Sequence, residues 1–180
     1  MPRLNNFKKS IANEQDEYYT PRILVKPIIK YIQKGSTVWC PFDTEESEFV
    51  KLIKENGNKV IFSHIKYNQD FFNYYPDEEF DCIVSNPPFS KKLKILERLY
   101  KINKPFAIIL GLPILNYQEI GSFFLNHKLQ LLIVDKKVSF NGKTSSFNNR
   151  YFCYNFLPES IIFEHLEHNN SGKFYGNENF

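Results

Sequence analysis

The residues best suited to chemistry are Asn86-Pro87-Pro88-Phe89, which follow directly on the apolar run Phe80-Asp-Cys-Ile-Val-Ser85. Two consecutive prolines fix a rigid extended turn, because each sets its own φ and restricts the residue before it. Neither proline has an N–H. Their carbonyls and the Asn86 side chain can therefore present a set of acceptors, which suits an amine that must donate two hydrogen bonds while its lone pair points elsewhere. Phe89 then offers a flat apolar face for a planar ring. Together the four residues describe a holder for an exocyclic amino group on a flat heterocycle.

Such a turn needs a scaffold, and the rest of the chain reads as one. Thr37–Phe42, Lys59–Ile65, Phe80–Ser85, Pro105–Leu112, Leu129–Val134 and Arg150–Leu157 are apolar, strand-like runs. Helical patterns over roughly Glu45–Asn56, Ser90–Lys104 and Tyr117–Asn126 alternate with them. Fully apolar strands between helices predict an open α/β sheet covered on both faces, mostly parallel. The last two strands have no helix between them, so the pattern adds an antiparallel edge pair. In such sheets ligands bind beyond the carboxyl ends of the strands, which is where Asn86–Phe89 falls.

Charge is distributed in blocks. The total is +3, but residues 35–89 hold four basic and ten acidic side chains, whereas residues 90–104 hold six basic and one acidic. The latter segment reads as an amphipathic helix with a basic outer face and Ser90 as its N-cap. Lys91 and Lys92 would stand in its first turn, where the helix dipole disfavours positive charge, so an anion nearby would account for them. Lys94 lies on the same basic segment. The polar, basic stretch Lys136–Asn149, including Lys143, could also reach a nucleic acid, or serve simply as a hairpin connection.

Asn86-Pro87-Pro88-Phe89 resembles the catalytic loop of S-adenosylmethionine-dependent amino-group methyltransferases. The likeness is greatest to adenine-N6 methyltransferases, and specifically to the short phage and prophage proteins of that family. Asp16-Glu-Tyr-Tyr-Thr-Pro21 resembles the upstream segment that lies against the cofactor, and Val38-Trp-Cys-Pro-Phe-Asp43 stands in the place of the first cofactor motif. Asp70-Phe71-Phe72 resembles the acidic–aromatic pair that holds the cofactor's adenine, and Asn149–Leu157 the closing strand. These matches run in the expected order over about residues 15 to 160. The resemblance implies a Rossmann-like S-adenosylmethionine methyltransferase fold. It assigns Asn86, Pro87, Pro88 and Phe89 to catalysis, and Tyr19, Thr20, Pro21, Phe42, Asp43, Asp70 and Phe71 to cofactor binding. Lys91, Lys92, Lys94 and Lys143 are the candidates for contact with nucleic acid, DNA first, with RNA or a cytosine N4 amine as alternative targets; in a duplex the target base must first be flipped out.

The sequence departs from that pattern in three places. The glycine-rich turn expected after the first strand is replaced by Pro41-Phe-Asp-Thr-Glu-Glu-Ser-Glu-Phe49, whose acidity suits the cofactor's amino group and repels its carboxylate. The second strand ends Phe62-Ser-His-Ile65, without the carboxylate that holds ribose hydroxyls in the family. Only Lys66–Gln69 separate it from Asp70, so the sheet is expected to be trimmed after its second strand. A different reading therefore stands beside the enzyme: a degenerate methyltransferase fold from a phage or mobile element, binding nucleic acid or a host defence complex without turnover. Methylation of a protein glutamine amide is a third, but members of that class usually end the loop in Tyr.

With 180 residues, 18 Phe and 11 Tyr, disorder is excluded as the main state, and neither a heptad nor a repeat persists. The expected organisation is an N-terminal arm (1–14), a methyltransferase-like domain (15–168) and a polar tail (169–180). No signal peptide or membrane span is expected, and the predicted location is the cytoplasm. Cys40, Cys82 and Cys153 are widely spaced in apolar runs, a buried-thiol pattern without metal-ligand spacing, so no metal is expected.

Overall fold

A computed structural model of the chain describes residues 20–88, 90–136, 138 and 149–166. Seven strands form one sheet: β1 (Thr37–Cys40), β2 (Lys59–Phe62), β3 (Cys82–Ser85), β4 (Phe106–Gly111), β5 (Gln130–Val134), β6 (Asn149–Tyr154) and β7 (Ile161–Glu164). Their order is β2-β1-β3-β4-β6-β5-β7. The pairs β1–β2, β1–β3, β3–β4 and β5–β7 are parallel, whereas β6 runs antiparallel to both of its neighbours. This is the mostly parallel α/β sheet that the strand–helix alternation predicts, in the Rossmann-like form that the resemblance implies.

Two features refine the expectation. The seventh strand adds outside β5, so the antiparallel β5–β6 pair lies one strand in from the edge. The pattern of β7 hides it: the strand is four residues long, and Ile161 and Phe163 are exposed apolar side chains. The second feature is α1 (Arg22–Ile29), a helix the sequence does not announce. It has only eight residues, contains Pro27, and begins after Pro21 without a side-chain cap.

Helices cover both faces. On one face α1 and α2 (Glu48–Glu55) bury Leu24, Val25, Ile28, Phe49, Val50 and Ile53 against Val38, Cys40, Val84, Ala107, Ile109 and Tyr151. On the other, Ile95, Leu96 and Leu99 of α3 (Lys92–Ile102) and Ile120 of α4 (Gln118–Phe124) pack on Ile83, Ile108, Leu110 and Phe152. Each strand thus feeds alternate residues to opposite layers, as its two-residue period requires. Tyr151 also ties α1 to the sheet, donating its hydroxyl to the Leu24 carbonyl at 2.9 Å in the core. Tyr151→Phe is expected to cost about 1 kcal/mol, a fall of about 2–4 °C in melting temperature by calorimetry.

The shortened crossover is a property of the fold. Between β2 and β3 there is neither an α-helix nor a strand, only a 3-10 turn (Ile65–Tyr67) and bends. The segment crosses over β1, and Trp39 is the side chain β1 directs to that face. Phe71, Tyr74, Tyr75 and Phe80 surround the Trp39 ring at centroid distances of 5.1–6.5 Å. Trp39 Nε1 donates to Ser63 Oγ at 3.0 Å. A layer of aromatic rings replaces the crossover helix and keeps β1 buried. Cys40, Cys82 and Cys153 are buried free thiols, as expected, and burial pushes the Cys82 thiol up to about 12.

Candidate active site

Parallel pairing brings the carboxyl ends of β1 to β4 to one end of the sheet. The antiparallel β6 begins there, with Asn149 beside Gly111. The segments that follow these ends carry Asp43, His64 and Asn86, and Thr20 and Pro21 approach from the chain before α1. The candidate site is the surface these residues share.

Asn86 leaves β3 immediately after Ser85 and is braced against the N-terminal segment, its Nδ2 donating to Thr20 Oγ1 at 3.0 Å. Its Oδ1 is buried and has no hydrogen-bond partner. An acceptor in that condition has given up water without compensation, so it is held ready for a donor. Pro87 is buried and Pro88 half-buried, which fixes the turn in the wall of the site. Phe89, Tyr19 and Lys143 lie outside the described residues, as do the expected arm 1–14 and tail 169–180.

Asp43 is drawn into the core instead of capping the next helix. It is only 6% exposed and accepts from the Ser85 hydroxyl, so the segment after β1 is locked to the end of β3. Burial pushes its carboxyl up to about 6, opposed by hydrogen bonds from Ser85 and Ser47. Helix α2 starts later than its pattern suggests, at Glu48 after Ser47, whose Oγ accepts from the Thr44 amide at 3.0 Å. The remaining acidity is partly neutralised. Glu46 pairs with Lys51 at 3.0 Å and Glu48 with Arg22 at 3.2 Å.

Phe42 and Phe71 are in contact, with ring centroids 4.8 Å apart, but Phe71 is 2% exposed and belongs to the aromatic layer under the crossover. Asp70 caps its own turn: its Oδ1 accepts from the Phe72 amide at 3.1 Å and its carbonyl from Asn73 and Tyr74. Asp43, Thr20, Pro21 and Asn86 therefore gather at the strand ends, while Asp70 and Phe71 are engaged in the turn beside them. At the end of β2, His64 Nδ1 accepts from the Lys66 amide at 3.1 Å, so the histidine caps the 3-10 turn.

The basic helix is displaced by one step. Ser90 is not its cap. Lys91 occupies the N-cap in the left-handed region (φ 61°), and α3 begins at Lys92. Lys91 Nζ lies 5.3 Å from the centre of the Phe72 ring. Lys91 and Lys94 are exposed and Lys92 half-exposed beside the Asn86 turn. Arg98 of the same helix turns inward, donating to the Tyr74 carbonyl at 2.9 Å and covering the Phe71 ring.

Sequence reasoning missed Ser85 as a partner of Asp43. A serine at the end of an apolar strand carries no signal of a partner 42 positions away. Among the described residues no three His, Cys, Asp or Glu side chains gather to hold a metal ion, and no helix is long and apolar enough to cross a membrane.

The sequence is similar to those of known methyltransferases. The chain is 25% identical over 142 residues to the type II methyltransferase M.EcoRI of Escherichia coli, a match covering 72% of the chain and 41% of that protein. It is 35% identical over 105 residues to the type II methyltransferase M.MgeORF184P of Mycoplasma genitalium, covering 56% of the chain and 31% of that protein. The matches thus span less than half the length of these curated relatives. Among solved structures, the methyltransferase subunit of a type I restriction-modification system from Streptococcus thermophilus superposes with a TM-score of 0.47 at 12% identity. That superposition covers 83% of this chain and 47% of the other. No family model matches the sequence.

Proposed function

We propose that the protein transfers a methyl group from S-adenosylmethionine to an exocyclic amine of a DNA base, the N6 amine of adenine. The observation that carries the reading is the buried, unpartnered Oδ1 of Asn86, held at the end of β3 in an Asn-Pro-Pro turn. The likeness to type II methyltransferases supports the same chemistry.

The residues at the strand ends fit the cofactor. A buried carboxylate whose charge is balanced only by hydroxyl groups favours a cationic neighbour. Asp43 would receive the cofactor's positively charged amino end, with Thr20, Pro21 and Phe42 forming the adjoining wall. The cofactor supplies an electrophilic methyl group on a sulfonium. Asn86 Oδ1 and the Pro87 carbonyl accept the two amine hydrogens and aim the nitrogen lone pair, so rate comes mainly from positioning and placed charge.

Lys91, Lys92 and Lys94 stand next to the Asn86 turn and would contact the phosphates flanking a flipped base. The double variant Lys91→Ala/Lys94→Ala is expected to weaken DNA binding equally across sequences. The slope of log affinity against log salt should fall by about 2 in fluorescence titrations.

The missing crossover helix and the His64 cap at the end of β2 favour a second reading, a methyltransferase fold that binds without turnover. Calorimetric titration of the folded protein with S-adenosylmethionine separates the two. Saturable one-site binding is the expected result, and no heat of binding would overturn the enzyme reading.

A further inference from the structure

Asn149 is 4% exposed, and neither its Oδ1 nor its Nδ2 has a hydrogen-bond partner. A buried amide with both its donor and its acceptor unused is rare, because water has been removed from each without replacement. Its position gives it a use. Asn149 opens β6 opposite Gly111, and β6 directs Tyr151 and Cys153 to the face covered by α1. Asn149 shares that alternation. Asn86 continues the alternation of Cys82 and Val84 to the same face, where it meets Thr20 just before α1.

The two amides flank β4. Ser85 stands beside Ile108 on one side and Asn149 beside Gly111 on the other, so two strand spacings, roughly 10 Å, separate them across the sheet, and three residues of β4, roughly 10 Å, offset them along it. On this face β4 contributes Ile109, fully buried in the core, and then Gly111, which has no side chain, beside Asn149. A Cβ at Gly111 would stand 3.8 Å from Asn149 Oδ1, so the missing side chain leaves the Asn149 amide facing bare β4 backbone.

We propose that Asn149 is a second base-reading residue. Its amide donates to a ring nitrogen of the same base whose exocyclic amine Asn86 holds. Adenine presents acceptors on both sides of that amine, N1 and N7, and Asn149 Nδ2 is an unused buried donor on the same sheet face as the turn that grips it. The inference rests on the functional reading above and deepens it, assigning Asn149 to positioning and to discrimination between bases.

The test compares wild-type protein with Asn149→Leu on three oligonucleotides, whose target carries adenine, 1-deazaadenine or 7-deazaadenine. Wild type should lose about 10- to 100-fold in kcat/KM on whichever analogue lacks the nitrogen that is read. Asn149→Leu should lose about as much on adenine and then no longer distinguish adenine from that analogue. A purely structural residue would lower all three substrates together. Leucine removes the unsatisfied amide at nearly constant shape, so the melting temperature should hold or rise. Asn149→Ser gives the same comparison if leucine fails to fold. Transfer by wild type with unchanged discrimination in the variants would overturn this inference alone. No transfer by wild type to any substrate would overturn the functional reading and this inference with it.

Discussion

Asn86→Ala is expected to lower kcat for methyl transfer about 10²- to 10³-fold while leaving the affinity for S-adenosylmethionine within about threefold of wild type. The size follows from the role proposed for the side chain, a fixed polar group aimed at the atom where charge changes, whose removal typically has an effect of this order. Cofactor affinity should survive because the proposed cofactor contact rests chiefly on Asp43, which is locked to Ser85 and not to Asn86. The fold should survive as well. Asn86 contributes one hydrogen bond, to Thr20 at 3.0 Å, and its unsatisfied Oδ1 leaves with it. The net cost should stay near 1 kcal/mol, or about 2–4 °C in melting temperature. Single-turnover transfer and calorimetric cofactor titration, made on the same preparation, separate the two effects. Equal losses in both would mean that Asn86 holds the cofactor and does not hold the amine.

Asp43→Asn should change the pH dependence of both stability and binding. The folded carboxyl, raised by burial to about 6, titrates above its unfolded value near 3.9. The folded chain therefore binds the proton more tightly than the unfolded chain. Stability is fully present below pH 4 and falls as pH rises through 6, by about 3 kcal/mol for a displacement of this size. Asparagine keeps the acceptor for the Ser85 hydroxyl and carries no charge. The variant should match wild type in thermal melts at pH 4 and exceed it by about 5–10 °C at pH 8. Cofactor binding should move the other way. A cationic amino group beside Asp43 favours the ionised form, so wild-type affinity should rise between pH 5 and 7 with release of a proton. Asp43→Asn should bind about 10- to 100-fold more weakly at pH 8 and lose that pH dependence. Titrations in buffers of different ionisation enthalpy would report the proton directly. A variant with unaltered affinity at pH 8 would remove Asp43 from the cofactor site.

Much of this arrangement is written locally and therefore readable. Strands β1 to β4 are short apolar runs bounded by turns, and the Asn-Pro-Pro turn constrains its own backbone whatever surrounds it. The shortening after β2 is visible too, as a strand end with too few residues before Asp70 for the usual helix. The unread parts depend on contacts distant in sequence. Helix α1 has eight residues and an internal proline, and it is stabilised by burying Leu24, Val25 and Ile28 against strands that follow much later in the chain. Strand β7 pairs in parallel with β5 while exposing Ile161 and Phe163, so its alternation does not mark a core face. Asp43 has the composition of a helix cap. Its role as a buried partner of Ser85 depends on β1 and β3 being neighbours. Lys91 reads as first-turn helix, yet it stands at the N-cap in the left-handed region.

The central claim is that the amide at the end of β3 holds an adenine amine for methylation. Its most direct test is mass analysis of nucleosides from DNA incubated with the protein and isotopically labelled S-adenosylmethionine. Labelled N6-methyldeoxyadenosine with wild type, falling by at least about 10²-fold with Asn86→Ala, is the predicted result. Labelled cofactor bound by folded protein with no methylated base in any DNA, or label in the base undiminished by Asn86→Ala, would contradict it.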